Sequence, residues 1–118
     1  MQVKGIYRHF KGNKYEALGL AKERESDEIY VLYRKLYGDM GYWLRPYEMF
    51  FSEKETENGT VKRFTKIHES ESNIEFDDEL FYISATHSET EKEYEIIGVE
   101  NSDDGKIFIV KKEDDRQN

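Results

Sequence analysis

Short runs of tyrosine, valine, isoleucine and leucine recur along the chain, separated by polar or glycine-containing connectors. Two of them, residues 15–22 and 28–37, flank the polar stretch 23–27, which has the length of a hairpin connection. Runs of this length and composition are typical of β-strands. We therefore predict a mainly β protein whose neighbouring strands are joined by short turns.

The next segment predicts a tight turn, a strand and one helical turn in succession. Two glycines flank Asp39 within residues 37–41, which favours a turn leading into a strand over residues 42–45. Pro46 fixes its own φ and biases the preceding residue towards an extended conformation, so the strand should end there. Residues 47–51 are too few for an independent helix, but a first-turn proline fits a single turn of α or 3₁₀ helix.

Asn58-Gly59 is a two-residue hairpin signal that precedes a last strand over residues 61–67. Residues 1–67 then contain five or six short strands with one helical turn before the last. A β-sandwich needs about 100 residues, so this segment is better suited to a small SH3-like barrel or roll.

The remaining residues predict an extension of the barrel. Residues 68–79 are dominated by charged and small polar side chains and read as an acidic linker or loop, and residues 113–118 read as a frayed tail. Between them, residues 80–112 hold three strand-like runs, at 80–86, 93–99 and 106–112. An isolated three-stranded sheet is marginal, so we expect this acidic β-meander to pack on the barrel, adding strands to it or covering one face. Exposed strand edges would otherwise pair between chains, so both a monomer and a homodimer remain open.

Charge divides the chain at the same place. The 18 Lys+Arg and 26 Asp+Glu give a net charge of −8, but residues 1–67 alone carry +3 and residues 68–118 carry −11. Sixteen Phe and Tyr side chains together with Trp43 favour a folded protein in spite of this charge. The absence of cysteine excludes disulfides and thiolate chemistry and favours a cytoplasmic location, and no apolar run has membrane-spanning length.

Four blocks in one order resemble a known family. They are GIYRHFKG at 5–12, YEALGLA at 15–21, VLYRKLYGD at 31–39 and WLRPYEMF at 43–50. The resemblance is to the domain-of-unknown-function family 1653, a group of small bacterial domains, and covers roughly residues 4–67. It implies an SH3-like barrel and brings with it no established activity, substrate or catalytic residue.

Two features bear on a possible internal duplication. Family members often continue His-Ser-Glu-Thr after the Ala-Lys pair, whereas here Lys22 is followed by Glu-Arg-Glu-Ser, and the four letters occur instead at residues 87–90. The run YEALGL at 15–20 is also echoed by YEIIGV at 94–99. A repeated hairpin is one reading of these similarities, and two unrelated hairpins with a glycine kink is the other.

The sequence contains no recognisable catalytic or metal-binding motif. His9, His68 and His87 are far apart in the sequence, and the acidic runs lack the alternation of an EF-hand, so we expect no metal and no cofactor. Glycines and serines occur outside the phosphate-binding and nucleophile motifs that would give them a role. We expect the protein not to be an enzyme.

Basic and aromatic residues interleave at the two ends of the predicted barrel. The candidate ligand-binding residues are Tyr7, Arg8, His9, Trp43 and Arg45. Such a surface suits a non-catalytic binding module for a protein or peptide partner. The alternative is nucleic-acid binding modulated by the acidic C-terminal segment, which the net charge disfavours, and an enzyme site between barrel and extension comes last. Aromatic residues in so small a barrel can equally be core, and we expect Trp43 to be at least half inside.

Overall fold

The computed structural model describes residues 3–69, 83–102 and 105–113, which form ten strands and one short helix. The strands are β1 (Gly5–His9), β2 (Lys14–Glu23), β3 (Ile29–Lys35), β4 (Tyr42–Pro46), β5 (Glu53–Thr56), β6 (Gly59–Lys62), β7 (Phe64–His68), β8 (Ser84–His87), β9 (Glu93–Ser102) and β10 (Gly105–Lys112). The helix α1 (Tyr47–Phe50) follows β4 directly. The predicted mainly β fold with one helical turn is confirmed.

The family-like segment consists of β1 to β7 and α1. β1 pairs with β2 and with β7, β2 to β4 form an antiparallel meander, and β5 and β6 form a separate two-stranded sheet. This arrangement is consistent with an SH3-like barrel. The prediction of a single last strand over residues 61–67 was wrong. The strand is interrupted at Arg63, because β6 pairs with β5 in the separate hairpin while β7 pairs with β1.

The extension closes a second barrel on the first meander. β8, β9 and β10 form the predicted antiparallel meander, with β8 beginning at Ser84. β8 pairs parallel with β4, and β10 pairs parallel with β2, so that β2, β3, β4, β8, β9 and β10 form a closed six-stranded barrel. The C-terminal meander therefore adds strands to both sides of the β2–β4 meander, which is one of the two modes of packing that the sequence predicted.

Each face of the shared meander is buried in a different core. Inside the six-stranded barrel, Leu32 and Leu44 pack with Ile96, Phe108 and Val110. On the opposite face, a second and mostly aromatic core is covered by β1, β7 and α1, and its members are Val3, Tyr7, Ala17, Val31, Tyr33, Phe50 and Phe64. Alternation along β3 produces this division, since successive side chains of a strand point to opposite faces.

A bulge in β2 lets one long strand serve both cores. The pairing with β3 jumps from Ala17–Tyr33 to Gly19–Leu32, which leaves Leu18 as the extra residue. The extra residue changes which face later side chains take, so Ala21 lies in the core of the six-stranded barrel although Ala17, four positions earlier, lies in the aromatic core. Gly19 has φ 149°, a conformation that side chains disfavour, so glycine suits the bulge.

The two meanders share one backbone design. Glu23 N–H donates to Glu28 O in the first turn, and His87 N–H donates to Lys92 O in the second, 64 positions later. Asp27 and Glu91, at the same offset, both have φ 63°. The first residue of each turn also accepts a hydrogen bond through its side chain. Ser26 N–H donates to Glu23 Oε1, and Thr90 N–H donates to His87 Nδ1.

The strands continue the same correspondence. Tyr30 pairs with Pro46 in the first meander, and Tyr94, 64 positions after Tyr30, pairs in the second with Lys112, which is 66 positions after Pro46. The C-terminal meander is therefore a structural repeat of β2 to β4. The echo between residues 15–20 and 94–99 is out of register with it, because it aligns β2 with β9, whereas the repeat aligns β2 with β8.

The proposed boundaries of the extension fall partly outside the described residues. Of the predicted linker 68–79, His68 ends β7 and Glu69 follows it, and the remainder is not among the described positions. The same holds for residues 80–82 of the extension and for 114–118 of the tail.

Candidate functional site

Tyr7 is part of the aromatic core and not of a binding surface. Its side chain is 3% exposed, its ring packs edge-on against Phe50 with centroids 5.1 Å apart, and its hydroxyl donates to Val3 O at 2.7 Å. Burial, followed by the charge of Glu69, raises the pKa of Tyr7 to about 12. The interpretation of Tyr7 as a ligand-contacting residue therefore has to be corrected, because alternation along β1 turns this ring inwards.

Arg45 is largely enclosed by its own fold. Its Nε donates to Tyr33 Oη at 3.3 Å, its guanidinium lies 5.6 Å above the ring of Phe64, and its Nη1 lies 3.5 Å from Glu89 Oε2. The Arg45 side chain is 16% exposed. Glu89 belongs to the turn between β8 and β9, so the acidic extension already supplies a carboxylate to this cation.

Trp43 lies beside Arg45 on the same face of β4 and is half-buried, as expected. It packs against the aromatic core, and Lys35 Nζ lies 5.3 Å above its ring. Lys35 Nζ also lies 3.7 Å from Asp39 Oδ1. Trp43 thus has a cation over its ring within its own meander.

His9 lies between the aromatic core and the surface. Its ring packs edge-on against Phe64 at a centroid distance of 4.9 Å and contacts Phe10 at 4.5 Å. Burial, and then the charges of Arg45, Arg63 and Lys11, lower the pKa of His9 to about 4. His9 is therefore a neutral, half-buried aromatic group at neutral pH, and its charge does not contribute to ligand binding there.

Arg8 and His9 together line an open cleft between the β5–β6 hairpin and the outer face of β1 and β7. The cleft has a volume of about 520 Å³. Its lining residues are Arg8, His9, Phe10, Thr56, Asn58, Val61, Lys62, Thr65 and Ile67. The structure thus brings together two of the five predicted residues and leaves Tyr7, Trp43 and Arg45 outside this cleft.

The cleft combines an apolar floor with positive charge. Phe10, Val61 and Ile67 are partly exposed in it, while Arg8 and Lys62 are exposed at its sides. Neither cation forms an ion pair within the part of the chain that the structure describes. The described lining residues include no Asp or Glu, although the chain as a whole carries a net charge of −8.

The sequence did not identify seven of the nine lining residues. Thr65 lies opposite Arg8 through the pairing of β1 with β7, which are separated by more than 50 residues in the chain. Such long-range pairing leaves no local signal in a single sequence. The β5–β6 hairpin did have one, at Asn58-Gly59, but nothing in the sequence indicates that it folds over β1.

A metal site and a membrane-spanning helix were also sought. Across residues 3–69, 83–102 and 105–113, no three His, Asp or Glu side chains come together in a way that could hold a metal ion. Over the same residues, no helix has the length and apolar character that crossing a membrane requires.

The sheet order and the position of α1 define this chain as a small β-barrel protein with an SH3-like N-terminal segment. Residues 5–66 match the family described as "Protein of unknown function (DUF1653)", and the chain belongs to that family. A comparison with curated proteins gives no match.

A solved structure supports the same assignment. The chain is 35% identical to a protein of the DUF1653 family from Bordetella bronchiseptica whose crystal structure is known, with a TM-score of 0.53. The alignment covers 59% of this chain and 92% of the Bordetella protein. The similarity thus extends over nearly the whole of that protein and over little more than half of this one.

Proposed function

We propose that this protein is a non-catalytic binding module that holds an acidic, partly apolar segment of a partner protein in the cleft between β1, β7 and the β5–β6 hairpin. The observation that carries the proposal is the pair of exposed cations, Arg8 and Lys62, at the sides of an apolar cleft whose described lining residues include no carboxylate. In a chain of net charge −8, a cleft of this composition is a local site for negative charge.

Shape and polarity favour an extended peptide as the ligand. Asn58 and Thr65 place an amide and a hydroxyl group along the cleft, and these can hydrogen-bond to a peptide backbone. The Thr56 hydroxyl is used within the hairpin, where it donates to Gly59 O. Phe10, Val61 and Ile67 supply apolar contact area for alternate side chains of such a segment. Arg8 and Lys62 would then select carboxylates next to the apolar side chains.

The cleft is less suited to nucleic acid. Binding along a phosphate backbone uses several aligned cations, and this cleft has two, beside a ring of His9 that is neutral at pH 7. The acidic total charge also repels a polyanion at long range.

The test measures fluorescence anisotropy of a labelled peptide of alternating glutamate and leucine on addition of the full chain. We expect weak binding that falls with added salt, and a loss of roughly two- to fivefold in affinity for each of Arg8→Glu and Lys62→Glu. Arg24→Glu is the matched control, since Arg24 is exposed at the tip of the β2–β3 hairpin, away from the cleft.

Equal losses in all three variants would show that only net charge matters and would overturn the proposal. Tighter binding of a labelled oligothymidine than of the peptide would replace it with the nucleic-acid alternative. Circular dichroism of each variant confirms that the fold is retained, because all three positions are exposed.

A further inference from the structure

A second groove lies beside α1, at the beginning of β3 and the end of β4. Its volume is about 600 Å³, and its lining residues are Leu20, Glu28, Ile29, Pro46, Tyr47 and Glu48. Four of these six are apolar or aromatic and partly exposed, and the other two are exposed carboxylates. None of these six residues also lines the cleft between the β5–β6 hairpin and strands β1 and β7.

The structural repeat provides an internal comparison for this groove. At the 64-residue offset of the first two strands, Leu20 corresponds to Ser84 and Ile29 to Glu93. In the third strand the offset is 66, because Tyr30 pairs with Pro46 and Tyr94 with Lys112, so Tyr47, directly after β4, corresponds to Glu113, directly after β10. In the second meander these positions are polar and form hydrogen bonds within that meander. Ser84 Oγ donates to the Glu113 carboxylate, and Thr86 Oγ1 donates to Glu93 Oε2 at 3.0 Å.

The same backbone is therefore built with a polar strip in one meander and with an apolar groove in the other. Packing explains part of the apolar character, because Leu20 and Tyr47 also contact the aromatic core. Ile29 and Pro46 do not belong to either core among the described residues. Since the second meander has polar residues at the corresponding positions, the fold does not require Ile29 and Pro46 to be apolar.

The charges at the groove determine what it can bind. Glu28 accepts a hydrogen bond from Tyr30 Oη at 3.0 Å, which fixes its carboxylate at the edge of the groove, and Glu48 lies in the first turn of α1. Neither forms an ion pair with any residue in the described ranges. Two unpaired carboxylates beside an apolar floor attract cations and repel phosphates.

We propose that this groove is a second interaction surface, which binds a protein segment presenting an aliphatic or aromatic side chain next to a lysine or arginine. The apolar side chain packs on Ile29, Pro46 and Tyr47, and the neighbouring cation pairs with Glu28 or Glu48. Together with the cleft that contains Arg8 and Lys62, the protein then has two sites of opposite charge preference with different lining residues.

The experiment is a titration of the ¹⁵N-labelled full chain with a peptide of alternating lysine and leucine, followed by NMR. We expect amide shift changes confined to residues 20, 28–29 and 47–48, with Kd on the order of 1 mM. Glu48→Gln should weaken binding roughly two- to fivefold. Glu91→Gln, an exposed glutamate in the second turn, is the matched control and should leave the affinity unchanged.

Two results would contradict the proposal. Shift changes spread over all acidic turns, or an equal effect of Glu91→Gln, would show non-specific cation binding and overturn the proposal. A peptide of alternating glutamate and leucine provides the second control, because it should leave the amides of this groove unaffected whether or not it binds at Arg8 and Lys62.

Discussion

Arg45 and Glu89 form the one ion pair among the described residues that joins the strand β4 of the family segment to a turn of the C-terminal meander, with Nη1 and Oε2 3.5 Å apart. A second ion pair, between Lys22 and Glu100, joins the two segments from strand to strand, between β2 and β9. Arg45 also holds Tyr33 and covers Phe64, so it connects the extension to the aromatic core.

The coupling of Arg45 and Glu89 can be measured with a double-mutant cycle. We expect Glu89→Gln to lower the free energy of unfolding by at most about 1 kcal/mol, because Glu89 is partly exposed. Arg45→Met should cost more, since Tyr33 Oη then loses its donor. Urea unfolding of the two single variants and the double variant gives the coupling energy, which we expect to be roughly 0.5 kcal/mol. A coupling energy of zero would show that the ion pair contributes nothing.

The pKa of His9 predicts how stability depends on pH. Its pKa is about 4 in the folded protein, against 6.5 for an unperturbed histidine, so between these values the unfolded chain binds more protons. The free energy of unfolding should therefore fall as the pH is lowered from about 6.5 to about 4, and His9→Gln should reduce this slope. NMR titration of the His9 ring is the direct measurement. Arg45→Met should raise its pKa, and a ring that titrates near 6.5 in the unmodified protein would contradict the prediction.

The hydroxyl of Tyr7 should be important for stability. Tyr7→Phe keeps the ring in the core but leaves the buried Val3 carbonyl without its donor, at a cost of about 1 to 2 kcal/mol in the free energy of unfolding. Tyr37→Phe is the matched control, because it removes an exposed hydroxyl bond to Tyr15 and should cost less than about 0.5 kcal/mol. Chemical denaturation compares the two, and equal losses would refute the prediction.

Glu16 and Arg34 are cross-strand partners on β2 and β3, and the carboxylate is buried. Arg34 donates to Glu16 Oε1 from Nε at 3.0 Å and from Nη2 at 2.8 Å. Arg34→Leu should destabilise the protein by roughly 2 to 3 kcal/mol, because a buried carboxylate loses a two-point partner. Thermal and urea unfolding measure the change, with Arg24→Leu at the exposed hairpin tip as the control. A loss no larger than that of the control would contradict this assignment.

Local patterns in the sequence predicted local structure. The hairpin at residues 23–27, the strand ending at Pro46 and the helical turn after it are all confirmed, because each depends on the conformational preferences of a few adjacent residues. The division at Arg63 was missed, since it depends on β6 and β7 pairing with strands in two different sheets. Closure of the six-stranded barrel likewise depends on parallel pairing between residues far apart in the chain.

The candidate site was predictable to a smaller degree. Alternation along β1 places Arg8 on the opposite face from Tyr7 and His9, but the sequence does not say which face the fold covers. Tyr7 and Phe50 are brought together by α1, and Arg45 is paired by a residue 44 positions away. Such tertiary contacts decide whether a basic residue is exposed or enclosed, and they cannot be predicted from the local pattern of a single sequence.

The two parallel seams also determine the order in which the chain can fold. β2 meets β10 through residues 20–23 and 107–110, so nearly the whole described chain must be synthesised before the barrel closes. Until then, β4 and residues 20–23 of β2 each lack a partner on one side, and unpaired strand edges are where chains associate wrongly. Contacts between such distant residues also slow folding, so newly made protein passes through a period of open edges before its last strand arrives.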